Sequence, residues 1–367
     1  MFKLLILLAA SMCLAYCSQH GSLSLPITEK RTIDVPLVAI IIILSLAVGL
    51  RTQYNDTPIY AASFIEAPTP QEYFKTKPDL FDYPLFYGFQ SFFRHYISDN
   101  YHLFFLVIAF FTNGSFICFF KKNSDNFAFT ILLYFALGIY TFTMAAMKQC
   151  LSMAFLVIAL NALIDKKYVK FYIFVFIAML IHAYAILFAI LPLFTKKPWT
   201  LLTYCAIIGV VFVVFTFEST IVAYLEFTDD VGKDLSKEYI IDTAGINLLR
   251  LAVYAVPPII SLLYLDLLND NYTRSKNLMM NVSLLSFLIM ALGLSGGSNF
   301  FGRAAIYFVP GTLCIMPWLV NEIFSDESKN IGNCIVGGAY LLFFIYAHQN
   351  FSYEYQSITL FEFLKSL

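Results

Sequence analysis

Charge is scarce in this chain: only 13% of its 367 residues are Asp, Glu, Lys or Arg, about half the share of a soluble domain. So few charges cannot clothe a water-facing surface, which excludes an ordinary soluble globular protein. The charges that exist nearly cancel, to a net of −1, so no overall basic footprint for nucleic acid is present. The seven cysteines (Cys13, Cys17, Cys118, Cys150, Cys205, Cys314, Cys334) stand singly, nearly all inside apolar runs and without metal-ligand spacing. They are expected to be small buried hydrophobes, and no metal or cofactor is expected. A glycine-rich phosphate loop, a G-x-S-x-G turn and an H-E-x-x-H helix are all missing.

What is abundant is apolar. Hydrophobic residues make up 60% of the chain, and 39 Phe with 24 Tyr suit lipid-facing helices and interfacial belts. The expected fold is all-α: one polytopic integral membrane domain over 1–367, with about 11–12 transmembrane helices. Apolar spans lie at 35–50, 102–120, 127–146, 149–164, 171–194, 199–217, 248–267, 277–294, 304–320 and 331–347. Residues 2–17 precede them, with the charged start and apolar length of a secretory signal. Tyr16 sits badly for cleavage and a second span follows at once, so retention as a span is expected.

The longest polar region, 51–100, follows the second span. Pro68, Pro70, Pro78 and Pro84 argue against one continuous helix there, and its many aromatics suggest short helices lying on the membrane surface. Short basic loops, including Lys30, Lys121, Lys122, Lys166, Lys167, Lys196, Lys197 and Arg274, favour the cytoplasm. The outer face then receives 51–100, the acidic loop 218–247 and the turn SGGSN (295–299). This assignment requires 171–194 to enter and return as a hairpin, with His182 near its bend. It also brings Arg51, Asp56, Lys148, Arg250 and Arg303 to one outer face. Charged groups at membrane helix ends are costly and mark sites.

These residues resemble the EpsG-type branch of the Wzy-like polysaccharide polymerases. Arg51 closes the second span ahead of an acidic-Tyr element, Asp56 and Tyr60 in RTQYNDTPIY. Lys148 and Gln149 open a small-residue helix, followed by the link lysines Lys166 and Lys167 and by His182. Arg303 precedes an aromatic-rich late span with Tyr307 and Phe308. The chain departs from the family pattern in having Lys148 where arginine is usual and Tyr54 where glycine is usual. Lysine keeps the charge and loses the bidentate fork.

The resemblance implies a bacterial inner-membrane glycosyltransferase whose site faces the extracytoplasmic side and builds capsule, exopolysaccharide or O-antigen. Its substrate would be an oligosaccharide on a polyprenyl (undecaprenyl) diphosphate, its surroundings the lipid bilayer, and its partners a chain-length regulator and a flippase. Arg51, Arg250 and Arg303 would grip the diphosphate, because guanidinium matches phosphate oxygens two at a time. His182 or Asp56 would take the acceptor proton. Lys148 and Gln149 would hold phosphate or sugar hydroxyls, and Tyr60 and Tyr307 would stack on sugar rings. Two other functions stay open: a transporter or flippase for the same lipid-linked glycan, with cations through the whole bilayer, and a glycan acyltransferase with a dominant deep histidine.

Overall fold

The computed structural model of the protein describes residues 2–21, 24–28, 31–216, 245–294, 296–349 and 351–367. Lys30, Ser295 and nearly all of the acidic segment 218–247 lie outside the described residues. The chain is an all-α polytopic membrane protein. Its helices are α1 (Phe2–Gln19), α2 (Val35–Gly49), α3 (Thr57–Ile65), α4 (Pro70–Lys75), α5 (Pro84–Tyr96), α6 (Tyr101–Asn123), α7 (Phe127–Ala136), α8 (Ile139–Ala145), α9 (Met147–Ile164) and α10 (Tyr168–Ile181). A 3₁₀ segment, Ala183–Phe194, leads to α11 (Leu201–Phe215), α12 (Leu248–Leu263), α13 (Leu265–Leu268), α14 (Arg274–Leu292), α15 (Ser298–Ile306), α16 (Val309–Ile323), α17 (Lys329–Ala347), α18 (Phe351–Glu354) and α19 (Leu360–Ser366).

The described residues form two compact units, Met1–Ala189 with Glu327–Leu367, and Ile190–Asp326. Both interiors are apolar, and so are the outward faces: Ile42 on α2, Phe110 on α6, Phe176 on α10, Phe212 on α11 and Leu342 on α17 are all exposed. Soluble proteins rarely show continuous apolar exteriors, whereas lipid demands them. Among the described residues five helices are long and apolar enough to cross a bilayer, or up to seven if each of two bent pairs is one span. That is fewer than hydropathy alone suggests, because α2, α10, the 3₁₀ segment, α11 and α12 are shorter apolar helices. The cysteine expectation holds only for Cys150 and Cys314. Cys13, Cys118, Cys205 and Cys334 are exposed, the price of counting any apolar run as interior when half of each helix faces lipid.

Two spans bend where the chemistry requires it. The one expected at 127–146 breaks between α7 and α8 by 50° at Gly138, which takes a left-handed φ of 72°. The one expected at 304–320 starts earlier and bends by 59° between α15 and α16, where Pro310 supplies no backbone donor to the preceding turn. The 171–194 stretch also divides. α10 stops at His182, whose backbone is extended, and the Tyr172 hydroxyl donates to the Ala189 carbonyl at 3.5 Å. Seventeen residues of straight helix would separate that pair by about 25 Å, so the chain turns back at His182 as the hairpin expectation requires.

The 51–100 region contains three short helices, each with a proline in its first turn: Pro58 in α3, Pro70 in α4 and Pro84 in α5. Proline's fixed φ suits that position and its missing N–H costs nothing there. At one end of α2, Lys121 on α6 pairs with Asp34 at 3.5 Å and donates to the Ser18 hydroxyl at 2.8 Å. At the other end the C-terminal segment is clamped on. β3 (Arg51–Gln53) pairs antiparallel with β4 (Gln356–Ser357), the Ile358 N–H donates to the Leu50 carbonyl at 3.0 Å, and the Tyr355 hydroxyl donates to the Ala47 carbonyl at 2.7 Å.

Two glycines allow helices to touch. A Cβ on Gly49 of α2 would lie 2.8 Å from the Leu106 Cα of α6, and one on Gly311 of α16 would lie 2.6 Å from the Met279 carbonyl oxygen of α14. Neither neighbour is a movable side-chain end. Gly49→Ala and Gly311→Ala should each destabilise the purified protein by about 1–3 kcal/mol, the usual penalty of overpacking. Gly338→Ala, inside α17 with open space around it, should hold or slightly raise the melting temperature, since alanine favours a helix over glycine by up to about 1 kcal/mol. Thermal unfolding followed by size exclusion checks all three.

Candidate functional site

The N-terminus of α9 is the centre of the candidate site. Its N-cap is Ala146, which has no group to bond the first turn, so the positive end of an 18-residue helix is left without a side-chain cap. Lys148 and Gln149 occupy the second and third positions. The half-buried Lys148 ammonium donates to the Tyr87 hydroxyl at 2.9 Å and lies over the rings of Tyr83 and Tyr87, 4.4 and 4.8 Å from their centroids. Among the described residues it has no ion pair with an acid. A cation beside a helix N-terminus is electrostatically misplaced. Cation–π contacts worth ~0.5–2 kcal/mol hold it where a carboxylate would otherwise be expected.

The ring of Tyr83 also carries His182, stacked at 5.1 Å, while Tyr184 meets the same imidazole edge-on at 5.3 Å. Tyr83 is the N-cap of α5 and has φ 57°, a left-handed conformation uncommon for a bulky residue and a sign of local strain. Tyr60 on α3 packs edge-on against Phe86, and its hydroxyl meets the backbone of Lys148. Burial pushes that phenol above its ordinary pKa, so it stays neutral. Asp56 stands at the N-cap position of α3 but makes no side-chain capping bond, and it lies near enough to Tyr60 to act on it electrostatically. Gln149 is buried against the interior.

Arg51 sits behind this arrangement and is fully enclosed, with 0% exposure. Its guanidinium donates to the Thr57 hydroxyl at 3.0 Å and to the Val48 carbonyl, approaches the Met147 sulfur at 3.9 Å and covers the Phe105 ring at 4.6 Å. Desolvation lowers its pKa to about 10, so it remains charged at neutral pH. No face of it is open to a ligand in this structure. Its one contact with α9 is the Met147 sulfur at the start of that helix.

The structure thus gathers Arg51, Asp56, Tyr60, Lys148, Gln149 and His182 within one unit. Arg250, Arg303 and Tyr307 belong to the other. There Arg250 lies over the Tyr254 ring at 5.8 Å, and its Nη1 approaches to 3.9 Å from the Cβ position of Gly302, the neighbour of half-buried Arg303. Tyr307, at the bend between α15 and α16, is fully buried, so a sugar cannot reach its ring. The histidines without an assigned role are structural: His102 bonds the Gly49 carbonyl at 3.3 Å and His348 bonds Thr141 at 3.0 Å. Among the described residues no three His, Cys, Asp or Glu side chains gather where a metal could be held. Tyr83 and Tyr87, which hold Lys148, are the members of this candidate site that sequence reasoning counted only among the aromatics of 51–100. Their spacing of one helical turn around Pro84 is the only trace they leave.

The aromatic hold on Lys148 is measurable. Replacing both rings (Tyr83→Leu with Tyr87→Leu) removes contacts worth ~1–2 kcal/mol, so amine-selective acylation of Lys148 should rise roughly 5- to 30-fold. Lys121, paired with Asp34, serves as the internal reference. Peptide mass spectrometry reads both.

No curated protein and no solved structure matches the chain. The sequence profile of the EpsG family matches residues 35–363, nearly its full length and including every site residue named above. The chain belongs to the EpsG family.

Proposed function

We propose that this protein is a surface-polysaccharide polymerase, transferring glycan from a polyprenyl-diphosphate-linked oligosaccharide to a lipid-linked acceptor at the extracytoplasmic face of a bacterial inner membrane. Membership of the EpsG family suggests a function of the polysaccharide-polymerase type. The observation that carries the finer reading is Lys148: a cation at a helix N-terminus without a side-chain cap, held by phenol and ring faces and by no acid among the described residues. Both the ammonium and the backbone N–H groups favour an anion. The leaving group of such a transfer is a diphosphate.

In the proposed reaction the acceptor hydroxyl oxygen attacks the anomeric carbon, and the bond from that carbon to the phosphate oxygen breaks with its electron pair leaving on the diphosphate. Lys148, the first turn of α9 and the charge of Arg51 behind it stabilise that growing charge. His182, lying against Tyr83, receives the acceptor proton, and Asp56 is the second candidate for that role. Arg250 and Arg303, in the other unit, are the remaining diphosphate candidates.

In a deletion strain, Lys148→Met should lower formation of long glycan chains at least ~100-fold, as losing one charge-stabilising donor does, while the lipid-linked single unit accumulates. Lys148→Arg should retain them. Arg303→Ala should reproduce the Lys148→Met result if that arginine grips the donor. A wild-type chain-length ladder from Lys148→Met would overturn the assignment, and loss of the lipid-linked unit from the outer leaflet would indicate a transporter instead.

A further inference from the structure

A cavity of about 540 Å³ lies between α3 and α5, beside the Lys148 site. Its size falls within the ~300–1,000 Å³ of small-molecule sites. Tyr73, Tyr87, Gln90, Ser91, Ser63 and Glu66 supply its polar groups, and Ile59, Ala62 and Pro68 its apolar wall. Gln90 is 2% exposed. Its amide nitrogen donates to the Ser63 carbonyl at 2.7 Å and to the Ser63 hydroxyl at 3.0 Å, which fixes the amide and leaves Oε1 buried without a partner. The Tyr73 hydroxyl is likewise buried without a partner. Such groups are costly to leave unmade, and both belong to residues that line the cavity, which favours a ligand that brings its own hydroxyls.

We propose that this cavity is the acceptor-glycan subsite and takes an uncharged sugar. The proposal rests on the polymerase reading above. The chemistry of the lining selects the ligand class. Two tyrosine rings suit the apolar face of a pyranose, while an amide oxygen, a carboxylate and serine hydroxyls suit its hydroxyls. Among the described residues no lysine or arginine lines the cavity. Apart from Lys148 beyond the Tyr87 wall, the basic groups close by are occupied: Arg94 donates to the carbonyls of Phe64 and Ala67 at 3.2 and 3.4 Å, and His95 bonds the Ala67 carbonyl at 3.1 Å. With Glu66 on the wall, the cavity disfavours phosphate and acidic sugars. Tyr87 joins it to the Lys148 site, since its ring lines the cavity while its hydroxyl accepts from Lys148. An acceptor sugar seated here would share one wall with the cation that receives the leaving group.

The test uses the purified full-length protein in detergent and, as probes, oligosaccharides of one and two repeat units released from the strain's own surface glycan. Saturation-transfer NMR measures their affinity. Gln90→Leu should weaken binding about tenfold and Tyr73→Phe about threefold. Ala62→Trp, introduced at an exposed position of α3, should fill the cavity and abolish binding. Size-exclusion elution and thermal unfolding, measured alongside, report whether each variant is folded. Wild-type oligosaccharide affinity in a folded Ala62→Trp protein overturns the subsite. So does a wild-type protein that polymerises glycan in cells yet binds neither oligosaccharide. If the variants lose oligosaccharide while deletion of the protein causes no accumulation of the lipid-linked unit, the subsite stands and the polymerase reading fails.

Discussion

Among the described residues the ammonium of Lys148 has aromatic neighbours and no acid. In a low-dielectric setting a cation normally recruits a carboxylate, and the pair then cancels. Here the two tyrosine rings and one phenol oxygen hold the charge in place without neutralising it, and the start of α9 adds the positive end of its dipole. Arg51 adds a second positive charge from behind, spending its own hydrogen bonds on Val48 and Thr57. The result is a concentration of positive potential that no acid among the described residues neutralises, and under the proposed function the diphosphate does so.

The rest of the first unit serves that placement. Proline-led helices α3 and α5 bring Tyr60, Tyr83 and Tyr87 to the start of α9, and the break at His182 turns α10 back so that an imidazole meets Tyr83. The C-terminal segment closes over the end of α2 through β3 and β4, enclosing Arg51. The core around Phe64, Phe86, Phe93 and Phe104 makes this region stiff, since interlocked aromatic rings leave little room for rearrangement.

Much of this was legible in the sequence. Hydropathy located the apolar stretches, four prolines excluded one continuous helix in 51–100, and the two basic flanks of 171–194 implied the turn at His182. Lys148 and Gln149 stood out as polar groups opening an apolar helix. Other features leave no local signature. Tyr87 and Lys148 are 61 residues apart, and a cation–π contact has no spacing rule to betray it. Arg51 and Tyr307 looked like surface groups because cations and tyrosines usually anchor at interfaces. Their burial follows from packing by segments distant in sequence, in Arg51's case by the C-terminal strand. The span count fell because a run of apolar residues records composition, whereas α2, α10 and α11 are set by where their helical hydrogen bonding stops.

Under the proposed function, Lys148 and the uncapped start of α9 form an anion site for a lipid diphosphate. Calorimetric titration of the purified full-length protein with farnesyl diphosphate tests it directly, at low and high salt. The account predicts binding that weakens with salt and at least ~10-fold lower affinity in Lys148→Met, from the loss of a charged hydrogen bond worth ~1.5–3 kcal/mol. Equal affinity of the two proteins at both salt concentrations would contradict it.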